Sequence, residues 1–172
     1  MDQRWIKYAV WFVALALAQG LIIKRMALGW MGFVYLEFLV YPLALFLVPI
    51  FISRNALLIG GFVLGLVVDL FYDSPGVHAS ASVLTAFMRP RILKMMEPGD
   101  GYERKSPTIR SLGLQWFSRY AAILIGSHVL IYYSMEIFNI WKTGEVIARA
   151  VWGLIWSWLG IMSIMLIFNP KE

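Results

Sequence analysis

Two aspartates and a histidine in an otherwise apolar stretch are the residues here whose types could do chemistry. They are Asp69, Asp73 and His78, within the run GFVLGLVVDLFYDSPGVHASAS over 61–82. Carboxylate and imidazole together can move a proton, ligate a metal or hold a partner. Gly61, Gly65, Asp69 and Asp73 recur at intervals of four, so on a helix they form one stripe. A carboxylate inside an apolar helix costs about 2.5–3.5 kcal/mol on membrane-insertion scales and needs a donor. His78, just past the Pro75-Gly76 turn, is the nearest donor in sequence; Ser80, Ser82 and His128 are others. Two readings follow for Asp69: a substrate, proton or partner site, or a hydrogen-bonded clasp between successive helices. The spacing of Asp69, Asp73 and His78 matches no metal signature. His128, alone on an apolar segment, reads as a satisfied core histidine. Gly61-x-x-x-Gly65 is a close-approach face, read first as packing inside the protein.

The elements that must position these residues are membrane helices. The 172 residues are 60% hydrophobic and 15% charged, with a mean hydropathy of +0.72. A soluble domain is nearer half apolar and a quarter charged. No cysteine is present, which excludes disulfides, thiolate metal sites and cysteine nucleophiles. The first apolar run is long for a signal peptide and lacks a small-residue cleavage site, so it reads as a retained span.

Hydropathy and turn signals divide the chain into one domain of six predicted spans, at 5–23, 33–52, 56–72, 77–96, 116–138 and 146–168. The second holds Glu37 near its outer end, read as interfacial and solvated, and Pro42 and Pro49, read as kinks. The fourth is the least apolar, which suggests a span packed inside the bundle or entering as a re-entrant piece. The polar stretch 97–115 is a loop in which Ser106 would cap a short helix started by Pro107. Six spans place both termini on one side. That side then carries eleven Lys and Arg residues against four on the other, so the termini and the 97–115 loop are predicted cytoplasmic. Arg89, Arg91, Lys94, Arg104, Lys105 and Arg110 would form a cytoplasmic basic surface able to meet anionic lipid or a partner, with topology setting as its main role. Nucleic acid binding is not expected, and no nucleophile elbow, metalloprotease helix or phosphate loop is present.

The linked order of Gly65, Asp69, Asp73, Gly76, His78-Ala79, Arg89-Pro90 and Gly101-Tyr102-Glu103 resembles the rod-shape-determining MreD family, most closely its Bacteroidota form. The likeness extends weakly through Leu112-Gly113 and Trp116-Phe117 to His128. It implies a non-catalytic, cofactor-free, multi-pass inner-membrane protein of the cell-elongation machinery. Its partners would be MreC first, then the MreB filament, RodA and the RodA transpeptidase. It also implies an all-α six-helix fold like that of the membrane substrate-binding subunits of energy-coupling-factor transporters. Those subunits supply the rival function, small-solute uptake; a homo-oligomeric channel is a third, which would need a polar stripe along one span, and only the fourth, through Ser80, Ser82 and Thr85, comes close to one. On the resemblance, Gly61, Gly65, Asp69, Asp73, Gly76 and His78 form the hairpin on which partner binding depends.

Overall fold

A computed structural model describes residues 3–26, 28–30, 34–36, 38–102 and 106–168. Helix α1 (Gln3–Leu17) continues through a π-helical stretch (Ala18–Ile23) into the short α2 (Lys24–Met26). A two-stranded antiparallel hairpin follows, β1 (Leu28–Trp30) against β2 (Val34–Leu36), with Gly29 opposite Tyr35. Next come α3 (Leu43–Phe46), α4 (Arg54–Tyr72), α5 (Val77–Met95), α6 (Ile109–Leu112), α7 (Leu114–Ile137) and α8 (Thr143–Phe168). Among the described residues, four helical stretches are long and apolar enough to cross a membrane: Ile6–Ile23, Arg54–Tyr72, Leu114–Ile137 and Ile140–Phe168. Large apolar side chains cover the outside, among them Val10, Phe62, Leu70, Ile147 and Leu166. That exterior suits lipid, not water, and the chain is a helical membrane protein.

The predicted second span is not a helix. Between residues 38 and 53 the only helix is the four-residue α3. Pro42 sits at its N-cap, and Pro49, which cannot donate an N–H, lies in the irregular stretch beyond its end. Residues 39–47 are nonetheless all buried. This segment threads the bundle as irregular backbone, which lipid tolerates only where protein surrounds it. The predicted fourth span is a helix, α5. It packs between α4 and α7 and is too polar to count among the four apolar spans, in keeping with a helix held inside the bundle. The short helix of the polar loop is capped by Thr108, not Ser106: its hydroxyl and Ser111 form a reciprocal capping box. Ser106 is buried and bonds Tyr8 at 2.5 Å instead.

That bond brings the beginning of α1 to the polar loop. Trp11 meets Phe168 edge-on at 6.1 Å, and Trp158 donates to the carbonyl of Ser118 at 3.1 Å. The start of α1, the polar loop and the end of α8 thus share one end of the molecule. At the other end, Lys24 donates to the Phe71 carbonyl and lies 4.0 Å from Asp73. Arg149 pairs there with Glu145 at 2.6 Å and Glu136 at 3.8 Å.

Candidate functional site

Asp69 lies on the buried face of α4, one turn before the helix ends. The chain leaves the helix at Asp73, whose φ of 52° is left-handed, a conformation that Asp tolerates better than most residues. Gly76, at φ 92°, turns the chain into α5, where a side chain would be strained. This two-step turn sets the N-terminus of α5 directly against the Asp69 carboxylate. Oδ1 accepts the His78 N–H and the His78 Nδ1–H, both at 2.9 Å, and the Ser74 hydroxyl at 3.2 Å. Oδ2 accepts the N–H groups of Gly76 at 2.9 Å and Ala79 at 3.1 Å. The first turn of a helix has N–H groups without intrahelical acceptors. Here a carboxylate from the preceding helix satisfies three of them, and the positive end of the helix dipole favours its charge. Val77 N–H finds the Ser74 carbonyl at 3.1 Å.

The carboxylate only accepts, so His78 Nδ1 carries the proton. Nε2 has no hydrogen-bond partner among the described residues. The ring is wholly buried, between those of Tyr72 and Tyr132 at 4.6 and 4.9 Å, with Tyr41 at 5.7 Å.

His78 heads a row. His78, Ser82, Thr85 and Arg89 follow one another at helical spacing on α5, and all four are buried. Halfway along the row, Thr85 donates to the Ala81 carbonyl at 2.8 Å and therefore accepts from His128 Nδ1, also at 2.8 Å. His128 Nε2 then accepts the Tyr41 hydroxyl at 2.8 Å, and Ser82 donates to Tyr41 at 3.4 Å. His128 is accordingly a satisfied core histidine in one tautomer. At the foot of the row Arg89 Nε donates to the Tyr120 hydroxyl at 2.8 Å. Its Nη2 serves the carbonyl of Phe46 at 3.3 Å and that of Val48. Tyr120 also donates to Phe46 O at 3.2 Å. These are carbonyls that α3 leaves without helical partners.

Arg89 is therefore not part of a cytoplasmic basic surface. It is fully buried, because α5 turns the 78–82–85–89 face inward and the irregular segment supplies carbonyls for the guanidinium. Arg91, Lys94 and Arg110 are exposed, as a basic surface requires. Arg104, Lys105 and Glu37 lie outside the described residues. Asp73 leaves the predicted stripe, since α4 ends at Tyr72, and its side chain is 94% exposed. The rest of the stripe packs on α5. A Cβ on Gly65 would lie 2.4 Å from Ala79 Cα, and one on Gly61 3.0 Å from the Ser82 carbonyl oxygen, so the glycines serve packing inside the protein.

Several site residues carry no signal in the sequence. Gln19, turned inward by the π-helical stretch, accepts from Val40 N–H at 2.9 Å and donates to Phe38 O at 3.2 Å and the Tyr72 hydroxyl at 2.9 Å. Ser157 on α8 accepts from Leu39 N–H at 2.8 Å. Among the described residues no three His, Asp or Glu side chains gather as a metal would need. The chemistry on display is hydrogen bonding that joins α1, the irregular segment, α4, α5, α7 and α8.

Compared with protein-family models, curated proteins and solved structures, the chain has no match.

Proposed function

We propose that this chain is a six-pass, non-catalytic scaffold of the bacterial inner membrane. In this reading both termini are cytoplasmic, and the irregular segment and α5 make the two passes inside the ring of apolar helices. It would serve the cell-elongation machinery as MreD-like proteins do, with MreC as its first partner. The observation that carries the proposal is the use made of Asp69. The residues on which the resemblance rests, Gly65, Asp69, Gly76 and His78, build one rigid hairpin whose exposed tip is Asp73, Pro75 and Gly76. A costly charge that caps a helix is what a scaffold needs to present a turn in fixed geometry.

Two variants separate folding from binding. Asp69→Ala should lower the yield of folded protein. Asp73→Asn removes an exposed charge and keeps a side chain that tolerates the left-handed φ, so it should leave the melting temperature nearly unchanged and reduce co-purification of MreC. If both variants fold and capture MreC normally, the scaffold reading fails at this hairpin. The rival, a small-solute-binding subunit, would draw on the polar row around His78. It would co-purify with an ATPase module and bind a small solute saturably.

A further inference from the structure

We propose that a groove between the end of α5 and the start of α7 binds an anionic phospholipid, with the phosphate at Arg119 and one acyl chain along Ala122 and Ile123. The groove measures about 640 Å³, within the range of roughly 300–1,000 Å³ usual for small-molecule sites. Its lining is mostly apolar: Met95, Met96, Ala122 and Ile123. Trp116 forms a rigid wall. Its indole N–H donates to the Met96 carbonyl at 2.8 Å, and its ring stacks on Tyr120 at 5.0 Å and 25°. Gln115 and Arg119 are the polar lining.

Arg119 is exposed, and no hydrogen bond or ion pair is made to it by any described residue. The basic residue at the opposite end of the bundle, Arg149, is by contrast paired with two carboxylates. Lys94, exposed and next in sequence to the lining residue Met95, adds positive charge at this end of α5. Glu97 and Asp100 on the adjoining connection make no ion pair with these cations. The start of α7 at Gly113 has no side-chain cap, so its free N–H groups add to the positive field. Arg119 stands five residues into α7, about 7 Å from its end. At that depth the stem lies along acyl chains while the head group reaches phosphate. A cation at the mouth of an apolar track, at headgroup depth, is complementary to a phosphodiester with its own hydrocarbon.

The test is native mass spectrometry of the purified full chain. It would be released from mixed phosphatidylglycerol and phosphatidylcholine nanodiscs. Wild type should retain phosphatidylglycerol over phosphatidylcholine by about fivefold, the effect of one basic side chain near an anionic headgroup. Arg119→Gln should abolish that preference, Arg119→Lys should restore it, and Lys142→Gln at the far end should leave it intact. Ile123→Trp fills the acyl track without touching the charge and should lower retention by itself. The proposal is overturned if wild type has no headgroup preference or if the preference survives Arg119→Gln. It is equally overturned if Ile123→Trp retains lipid normally, or if inorganic phosphate displaces the lipid, since then the hydrocarbon contributes nothing. Should Arg119→Gln not fold, the Ile123→Trp and phosphate arms decide.

Discussion

Asp69 shows how one buried charge can be stabilising in lipid. Its two oxygens accept five hydrogen bonds, three of them from the N–H groups that open α5. Truncation to Ala would leave those donors buried without acceptors, at about 1–3 kcal/mol each before relaxation. Asp69→Ala should therefore cost about 3–5 kcal/mol of stability, the sum of several stranded donors after partial relaxation. Asp69→Asn keeps one acceptor oxygen and the shape, and should fall between Ala and wild type in detergent unfolding. If Asn behaves as wild type, the charge is irrelevant and only the hydrogen-bond acceptor matters. Outside the membrane-spanning helices, Tyr102 gives a pH-dependent counterpart. Its hydroxyl donates to Leu93 O at 2.6 Å. Burial, and then the nearby Glu97 carboxylate, push its pKa from 10.0 up to about 12. A group whose folded pKa is raised stabilises fully below its unfolded pKa and loses that contribution as pH climbs to the folded value. Stability should hold to about pH 10 and decline toward pH 12, and Tyr102→Phe should flatten this decline in unfolding curves taken across that window.

At the scale of elements, α4 and α5 are locked by a glycine face. Gly65 meets the Ala79 backbone, which cannot move aside as a side-chain tip could, whereas a Cβ on Gly60 would have nothing within 4 Å. Gly65→Ala should thus destabilise by about 1–3 kcal/mol through overpacking. Gly60→Ala should be neutral or slightly stabilising, since Ala is the better helix former; thermal unfolding of the pair checks this, and equal melting temperatures would refute it. This hairpin is legible in the sequence because its determinants are local: the interval-of-four stripe, the Pro-Gly turn and the first donor beyond it lie within one short run. The irregular segment is not. Its hydropathy is that of a span, and hydropathy reports burial without reporting helicity. What holds it is distributed over Gln19, Arg89, Tyr120 and Ser157, each unremarkable alone and up to 118 residues away in sequence from the backbone it satisfies. Arg89 misleads for a related reason: positive charge near the end of a hydrophobic run normally marks an interface. The inward row of His78, Ser82, Thr85 and Arg89 is visible in the sequence only when the helical phase of α5 is followed past the serines. Gln19→Leu should cost about 1–3 kcal/mol by stranding Val40 N–H and Phe38 O. Detergent unfolding reads this as a lowered midpoint; an unchanged midpoint would mean that the irregular segment is held without Gln19.

At the scale of the whole molecule, the two ends differ in how their charges are used. At the end that gathers the start of α1, the polar loop and the end of α8, the exposed cations Arg91, Lys94, Arg110 and Arg119 make no ion pair with any described residue. At the opposite end Lys24, Lys142 and Arg149 lie within 4.0 Å of Asp73, Glu145 and Glu136. Orientation in a membrane follows the excess of Lys and Arg in short loops, with acidic residues contributing little, so the unpaired end is the one proposed to face the cytoplasm. The chain has no cysteine, which makes a direct test possible without first removing any thiol. Arg110 and Lys142 are exposed, one in α6 and the other in the turn before α8. In right-side-out vesicles of the native membrane, Lys142→Cys should react with a membrane-impermeant maleimide at once. Arg110→Cys should react only after permeabilisation. Reaction of both from one side would contradict the passage of α7 through the membrane. The reverse pattern would keep the fold and invert the orientation, moving the Asp73–Gly76 turn to the cytoplasm, out of reach of the outer-face partner proposed for it.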